Sequence, residues 1–139
     1  RLNPAVGKCY VHLGSALINL GLPEQAIKFI SEGREILRKY YHDNHTQVGI
    51  AHCAHAAALI LEYKDDAKSY ALTALKIFRA SCTVPIAEMG LCEMYLGMIE
   101  IDDIQTFCGL EKFTKAYSIL KECLGSCHNM VGVCASLMG

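Results

Sequence analysis

One dipeptide constrains this chain more than any other feature, because the chain keeps returning to it. Val6-Gly7 comes back as Val48-Gly49, Met89-Gly90 and Val131-Gly132, at steps of 42, 41 and 42 residues. Seven positions after each glycine stands a small residue: Gly14, Ala56, Gly97 and Gly139. A third column holds Cys9, Ala51, Cys92 and Cys134. Columns that keep register along a whole chain at a period between roughly 20 and 50 residues mark a repeat architecture. A unit of that size cannot bury its own apolar face, so each unit stacks on its neighbour.

Within one period the pattern is helical. Pro4 breaks the chain ahead of a first helix over about Ala5–Leu20, with Leu13, Leu17 and Leu20 as its apolar face and Tyr10 a turn earlier. Gly21-Leu22-Pro23 ends it: glycine suits the C-terminal cap and proline the first turn of the next helix. That second helix spans about Pro23–Tyr40 and carries the stripe Ala26, Ile27, Ile30, Gly33 and Leu37, with Glu24 at its positive end and Arg38-Lys39 at its negative end. The second pair covers about Gln47–Leu61 and Asp66–Cys82, with a turn at Glu62–Asp65 and the stripe Ala67, Ala71, Ala74, Leu75, Ile77 and Phe78. The third opens after Pro85, runs to about Ile101, turns at Asp102-Asp103, and resumes over Phe107–Leu124 with Gly109, Phe113, Ala116 and Tyr117 on its stripe. His42–Thr46 and Gly125–His128 are closing loops, and Asn129–Gly139 begins a fourth unit. No strand alternation and no phosphate-binding glycine loop interrupts the pattern. The chain is expected to be all-α: a single domain over residues 1–139, with repeats at about 3–44, 45–84 and 85–127 and a partial one at 128–139.

Composition removes several function classes. Net charge is −1 and the 13 Lys and Arg residues are scattered, so no field draws the chain to nucleic acid or to an anionic membrane. The most apolar run, Ala51–Leu61, is shorter than a bilayer span and carries His52 and His55. Eight cysteines look like a disulfide scaffold, but Cys9, Cys53, Cys92 and Cys134 lie inside apolar helical patterns, where cysteine acts as a small buried hydrophobe. No secretory leader opens the sequence at Arg1, which reads as a piece of a longer chain. A reducing, cytoplasmic setting with free thiols is therefore expected.

The residues Tyr10, Leu13-Gly14, Leu17, Gly21, Ala26, Ile30 and Gly33 together resemble the tetratricopeptide repeat pattern. Ala67, Ala71 and Ala74-Leu75 continue it, followed by Leu96-Gly97, Gly109, Phe113 and Ala116-Tyr117. The longer period resembles the kinesin-light-chain variant, in which the second helix is extended and units begin near a His-Pro. Here Asn3-Pro4, His45-Thr46 and His128-Asn129 hold that place. The C-terminal helical lobe of SET-and-MYND lysine methyltransferases is also similar. The resemblance implies a right-handed superhelical solenoid of antiparallel helix hairpins, three full and one partial. His55 departs from it in a leucine column, and Glu93 and Glu100 stand where large apolar residues are expected, so the third unit is expected to be less regular.

The family's role is to hold a peptide or helix on a concave surface lined by the first helices. The resemblance places Lys8, Val11, His12, Ser15 and Asn19 there in the first unit. Ile50, Cys53, Ala54, Ala57 and Leu61 follow in the second, and Leu91, Met94, Tyr95, Met98 and Asp102 in the third. The Lys and Asn clamp for a C-terminal carboxylate is absent, whereas an apolar groove with adaptable methionines suits an amphipathic helix or hydrophobic peptide. The same positions equally suit packing against neighbouring helices.

Chemistry-bearing clusters are sparse. His52 and His55 share a helix face, with Cys53, His42 and His45 nearby, but zinc needs about four ligands at suitable spacings, and partly buried histidines are the simpler reading. Cys123 and Cys127 beside His128 read as one packed thiol and one in a loop. Glu93 and Glu100 lie two turns apart, as a solvated edge or as partners for Lys or Arg on an adjacent helix. No second polar cluster converges on them, so no catalytic site, metal or cofactor is expected. The sequence points to a non-enzymatic interaction module serving as scaffold or adaptor for a protein or peptide partner. Two alternatives stand beside it: the accessory lobe of a SET-and-MYND-type methyltransferase, and self-association through the apolar face of the partial fourth repeat, Val131, Val133, Leu137 and Met138.

Overall fold

The computed structural model describes residues 3–81, 86–102, 106–124, 133 and 136, with 101–102 and 106–110 described by backbone alone. Every regular element among the described residues is an α-helix: α1 Pro4–Asn19, α2 Pro23–Tyr40, α3 Thr46–Leu59, α4 Lys64–Ser81, α5 Ala87–Asp102 and α6 Thr106–Leu124. They fall into two compact units, residues 1–81 and 82–139. Cys82 at the expected end of the second pair, Pro85, the loop expected at Gly125–His128, the turn at Asp103, the side chains of Asp102 and Gly109, and the partial fourth repeat apart from Val133 and Ser136 lie outside the described residues.

Local chemistry sets the helix ends. Asn3 caps α1, its Oδ1 accepting the Val6 N–H at 3.2 Å. At the other end Gly21 takes φ +80°. There the Gly21 N–H donates to the Ile18 carbonyl at 3.0 Å and the Leu22 N–H to the Leu17 carbonyl at 2.9 Å, which satisfies two orphan acceptors. Pro23 then opens α2, with Glu24 in its first turn and Arg38 and Lys39 in its last. The second turn differs from expectation. α3 ends at Leu59 and α4 starts at Lys64, so Lys64 and Asp65 of the expected turn join Asp66 in the first turn of α4, where the helix dipole favours acids.

The repeated glycine column is where paired helices touch. A Cβ at Gly7 would stand 2.9 Å from Leu37 Cγ and 3.1 Å from Ile36 Cγ2. One at Gly49 would stand 2.8 Å from the Phe78 ring and 3.0 Å from Ile77 Cγ2. One at Gly90 would stand 2.7 Å from Leu120 Cγ and 3.3 Å from Ile119 Cγ2. The facing residues form columns of their own, Ile36-Leu37, Ile77-Phe78 and Ile119-Leu120, again 41 and 42 residues apart. In the first pair Gly14 meets Ile30 and Ala26 while Gly7 meets Gly33 and Leu37, so α1 and α2 run antiparallel. The glycines let a large side chain of the second helix seat against the backbone of the first. Leu37, Phe78 and Leu120 are all but fully buried as a result.

The third helix covers the first pair. Val11, Leu37, Val48 and Ala51 form one buried cluster from α1, α2 and α3, and Ala26, Ile30 and Ala58 form another. In the second unit Met94, Phe113, Ala116 and Leu120 make the α5–α6 core. That pair keeps the glycine register, so its hairpin contact is as regular as the others. The buried face of α1 differs from the leucine face expected. It is Gly7, Val11 and Gly14, while Leu13 is 44% and Leu20 74% exposed. Small residues at helical spacing permit the close crossing with α2; of the expected leucines only Leu17 packs there, against the Ala26–Ile30 cluster.

Candidate functional site

The first-helix positions expected to line a groove repeat their environments column by column. Val11, Cys53 and Met94 are buried at 4%, 4% and 3% exposure, so this column is core and lines no surface. The physical reason is that each stands on the face turned to the second helix; Met94, for instance, packs with Phe113 and Leu120. Lys8, Ile50 and Leu91 are each half-buried, as are Ser15, Ala57 and Met98. His12 is exposed, while Ala54 and Tyr95 in its column are half-buried. Asn19 is exposed, and Leu61 falls in the turn after α3, 80% exposed. The Ser15 hydroxyl is engaged with its own helix, donating to the Val11 carbonyl at 3.2 Å. Within each unit these half-buried residues form a partly apolar strip laid over a buried floor. Ile50 and Ala54 rest on the Val11–Leu37 cluster, and Leu91, Tyr95 and Met98 on the Met94–Phe113 cluster.

A polar cluster ties α2, α3 and α4 together. His55, only 5% exposed, stacks on Tyr70 with centroids 4.1 Å apart and planes 13° apart. His52 flanks the same ring at 5.7 Å. Arg34 from α2 reaches across, its Nη1 donating to His55 Nδ1 at 2.8 Å and its guanidinium carbon 5.3 Å from the Tyr70 centroid. Because the guanidinium only donates, His55 Nδ1 must accept, and the ring is neutral with its proton on Nε2. Burial pushes His55 down to about 4, helped by Arg34 and His52. His52 is likewise pushed to about 4 by burial, then by Arg34 and Arg38, with Asp43 opposing. These are the partly buried histidines expected, but Arg34 and Tyr70, which define the cluster, were not singled out from the sequence.

The remaining groups hold the fold. His45 caps α3, its Nδ1 accepting the Gln47 N–H at 3.1 Å while its ring stacks on Tyr41 at 3.9 Å. Burial, with His42 and Lys8 nearby, lowers its pKa. Arg38 pairs with Asp43 at 2.7 Å and Glu35 at 3.3 Å. Glu100 pairs with Lys112 across α5 and α6 at 3.7 Å, the partnership expected for it, whereas Glu93 is buried and not part of a solvated edge. Lys112 stands in the column of Phe29 and Tyr70, whose rings meet Tyr10 and His52 in the earlier repeats, while its partner Glu100 stands in the column of Leu17 and Leu59. Cys9, Cys53, Cys92 and Cys123 are thiols. Cys9 is exposed where burial was expected, because the face of α1 that carries it is uncovered; Cys123 is exposed at the end of α6. Among the described residues no three His, Cys, Asp or Glu side chains converge as a metal site, and no helix is long and apolar enough to cross a membrane.

No known protein family matches the chain, and neither the curated proteins nor the solved structures hold a match to it.

Proposed function

We propose that this chain is a protein-interaction module of the tetratricopeptide kind. Its hairpins stack in a right-handed superhelix and hold an amphipathic helix or hydrophobic peptide along their first helices. The observation that carries this is the recurrence of one strip in three copies: Lys8/Ile50/Leu91, His12/Ala54/Tyr95 and Ser15/Ala57/Met98, each half-buried or exposed over a buried Val11/Cys53/Met94 floor. A strip that served packing alone has no reason to stay partly open at the same positions in every repeat. Its apolar residues and Met98 suit a partner helix whose side chains interdigitate with them. The chain acts as a scaffold or adaptor in the cytoplasm and performs no catalysis itself.

The test uses an array of amphipathic helical peptides and their scrambled counterparts, probed with the protein and with Ala57→Glu and Met98→Glu. Both substitutions sit on the strip and leave the Cys53 and Met94 floor in place. Selective binding lost in both variants, with helical circular dichroism retained, supports the proposal. Variants that fold and keep every interaction refute it.

A further inference from the structure

The two hairpin turns within residues 1–81 hold large apolar side chains in water at matching positions. Leu20 and Leu22 flank Gly21 and are 74% and 42% exposed; Leu61 and Tyr63 flank Glu62 and are 80% and 55% exposed. The second pair stands 41 residues after the first, the step that also relates Ala26 to Ala67. The backbone repeats as well: the Ala26 N–H donates to the Leu22 carbonyl at 3.1 Å and the Ala67 N–H to the Tyr63 carbonyl at 2.9 Å. Leu22 and Tyr63 thus stand immediately before α2 and α4, where Ser, Thr, Asp or Asn would cap a free N–H. Leu22 makes no such side-chain bond. Giving up a cap for an exposed apolar group runs against local stability, and such breaches of local preference collect at functional positions. Both turns lie at one edge, because Leu17 and Ile18 near the end of α1, Ala26 and Ile27 at the start of α2 and Ala58 at the end of α3 pack in one cluster. The loop at the opposite edge, residues 42–45, is polar throughout.

The same edge is acidic. Across residues 19–26 and 60–67 stand Glu24, Glu62, Asp65 and Asp66, all exposed, against one base, Lys64, which is already engaged. Lys28 and Lys68 lie a turn further along α2 and α4. Among the described residues none of the four acids is ion-paired. Glu62, Asp65 and Asp66, with Tyr63 and Lys64, line a depression of about 470 Å³. We propose that this edge docks a segment of a partner protein that carries large aliphatic side chains and arginine. Its aliphatic residues cover Leu20, Leu22 and Leu61. An arginine enters the depression, pairs with the acids and lies against the exposed Tyr63 ring, two contacts a guanidinium makes at once. The acids turn away nucleic acid and anionic lipid, which leaves a basic protein segment as the occupant. The edge lies past the end of α3, so substitution separates it from the first-helix strip at Ala54 and Ala57.

The test titrates the whole protein with a helical peptide whose two faces are leucine and arginine, with its glutamate-for-arginine version, and with phosphatidylserine vesicles. Only the arginine peptide is expected to bind, and more weakly as salt rises. In the protein, Leu22→Asn with Tyr63→Asn is expected to weaken that binding about tenfold to a hundredfold, the worth of a buried leucine. The same variant is expected to raise the Tm, since asparagine supplies both missing caps. Glu62→Lys with Asp66→Lys is expected to weaken binding in the same range, and Ala57→Glu not to weaken it. Equal binding of the two peptides, binding to the vesicles, or no binding of the arginine peptide overturns the proposal. Loss in Ala57→Glu with retention in the turn variants does so too, because the strip is then the site. A lowered Tm of the Leu22→Asn, Tyr63→Asn variant also overturns it, since stability then accounts for the two side chains. So does a dimer in sedimentation that this variant dissociates, because a second copy is then the occupant.

Discussion

Gly33 stands at the closest approach of α1 and α2, and replacing it by alanine isolates the effect of that approach. A Cβ at Gly33 would lie 2.7 Å from the Gly7 carbonyl oxygen and 3.0 Å from Tyr10 Cβ and Val11 Cγ2. The first of these atoms is backbone, so no rotamer change relieves the contact and the two helices must move apart. Separation loosens Leu37 and Ile30, which are 1% and 0% exposed. Overpacking of this kind costs about 1–3 kcal/mol. Alanine returns about 1 kcal/mol through its better helix propensity. The net expectation is a loss of up to about 2 kcal/mol, seen as a Tm lowered by up to roughly 8 °C in melts followed at 222 nm. Gly21→Ala is a useful contrast, since no atom lies within 4 Å of its Cβ and only the φ of +80° opposes the change. If Gly33→Ala raised the Tm, as it does for a glycine on an open helix surface, the close crossing of α1 and α2 would be wrong.

Acid should weaken the first unit through its histidines. His52 and His55 are held near 4 in the folded chain against an ordinary 6.5. A depressed histidine favours the neutral form on folding, so its stabilisation is whole above pH 6.5 and falls as the pH drops towards 4. With solvent screening at the half-buried His52, the loss is about 1–2 kcal/mol per histidine, and a His52→Gln, His55→Gln double variant should flatten the denaturation profile over that window. Arg34→Met should raise the His55 pKa, followed by NMR titration; an unmoved pKa would contradict the Arg34–His55 bond. Asn3→Ala removes the acceptor for the Val6 N–H and should cost about 1 kcal/mol in chemical denaturation. Equal stability of that variant would mean the cap is not formed in solution.

The period made most of the hairpin architecture legible, because a glycine that returns every 41 or 42 residues leaves its mark on any reading of the chain. The residues it faces were less visible. Ile36-Leu37, Ile77-Phe78 and Ile119-Leu120 sit among other apolar positions on the second helices, and only their common spacing marks them. On α1 the leucines drew attention from the small residues, although the small ones make the contact. The acid at Asp65 read as part of the turn, but acids serve equally well at a helix start. The Arg34–His55–Tyr70 cluster joins three helices, and no local pattern reveals it. A signal did exist across columns: histidine replaces Leu13 and Leu96 at one position, while arginine replaces Leu75 and Tyr117 at the position it meets. Paired polar exchanges between two apolar columns are what a buried contact between repeats leaves in a sequence.

The repeated glycine contact is tested most directly by nuclear Overhauser spectroscopy on uniformly labelled protein. Cross-peaks are expected from the Gly7 α-protons to the Leu37 methyls, from Gly49 to the Phe78 ring and from Gly90 to the Leu120 methyls. All three together establish one hairpin built three times. Cross-peaks from these glycines to other helices, with none to Leu37, Phe78 or Leu120, would contradict it.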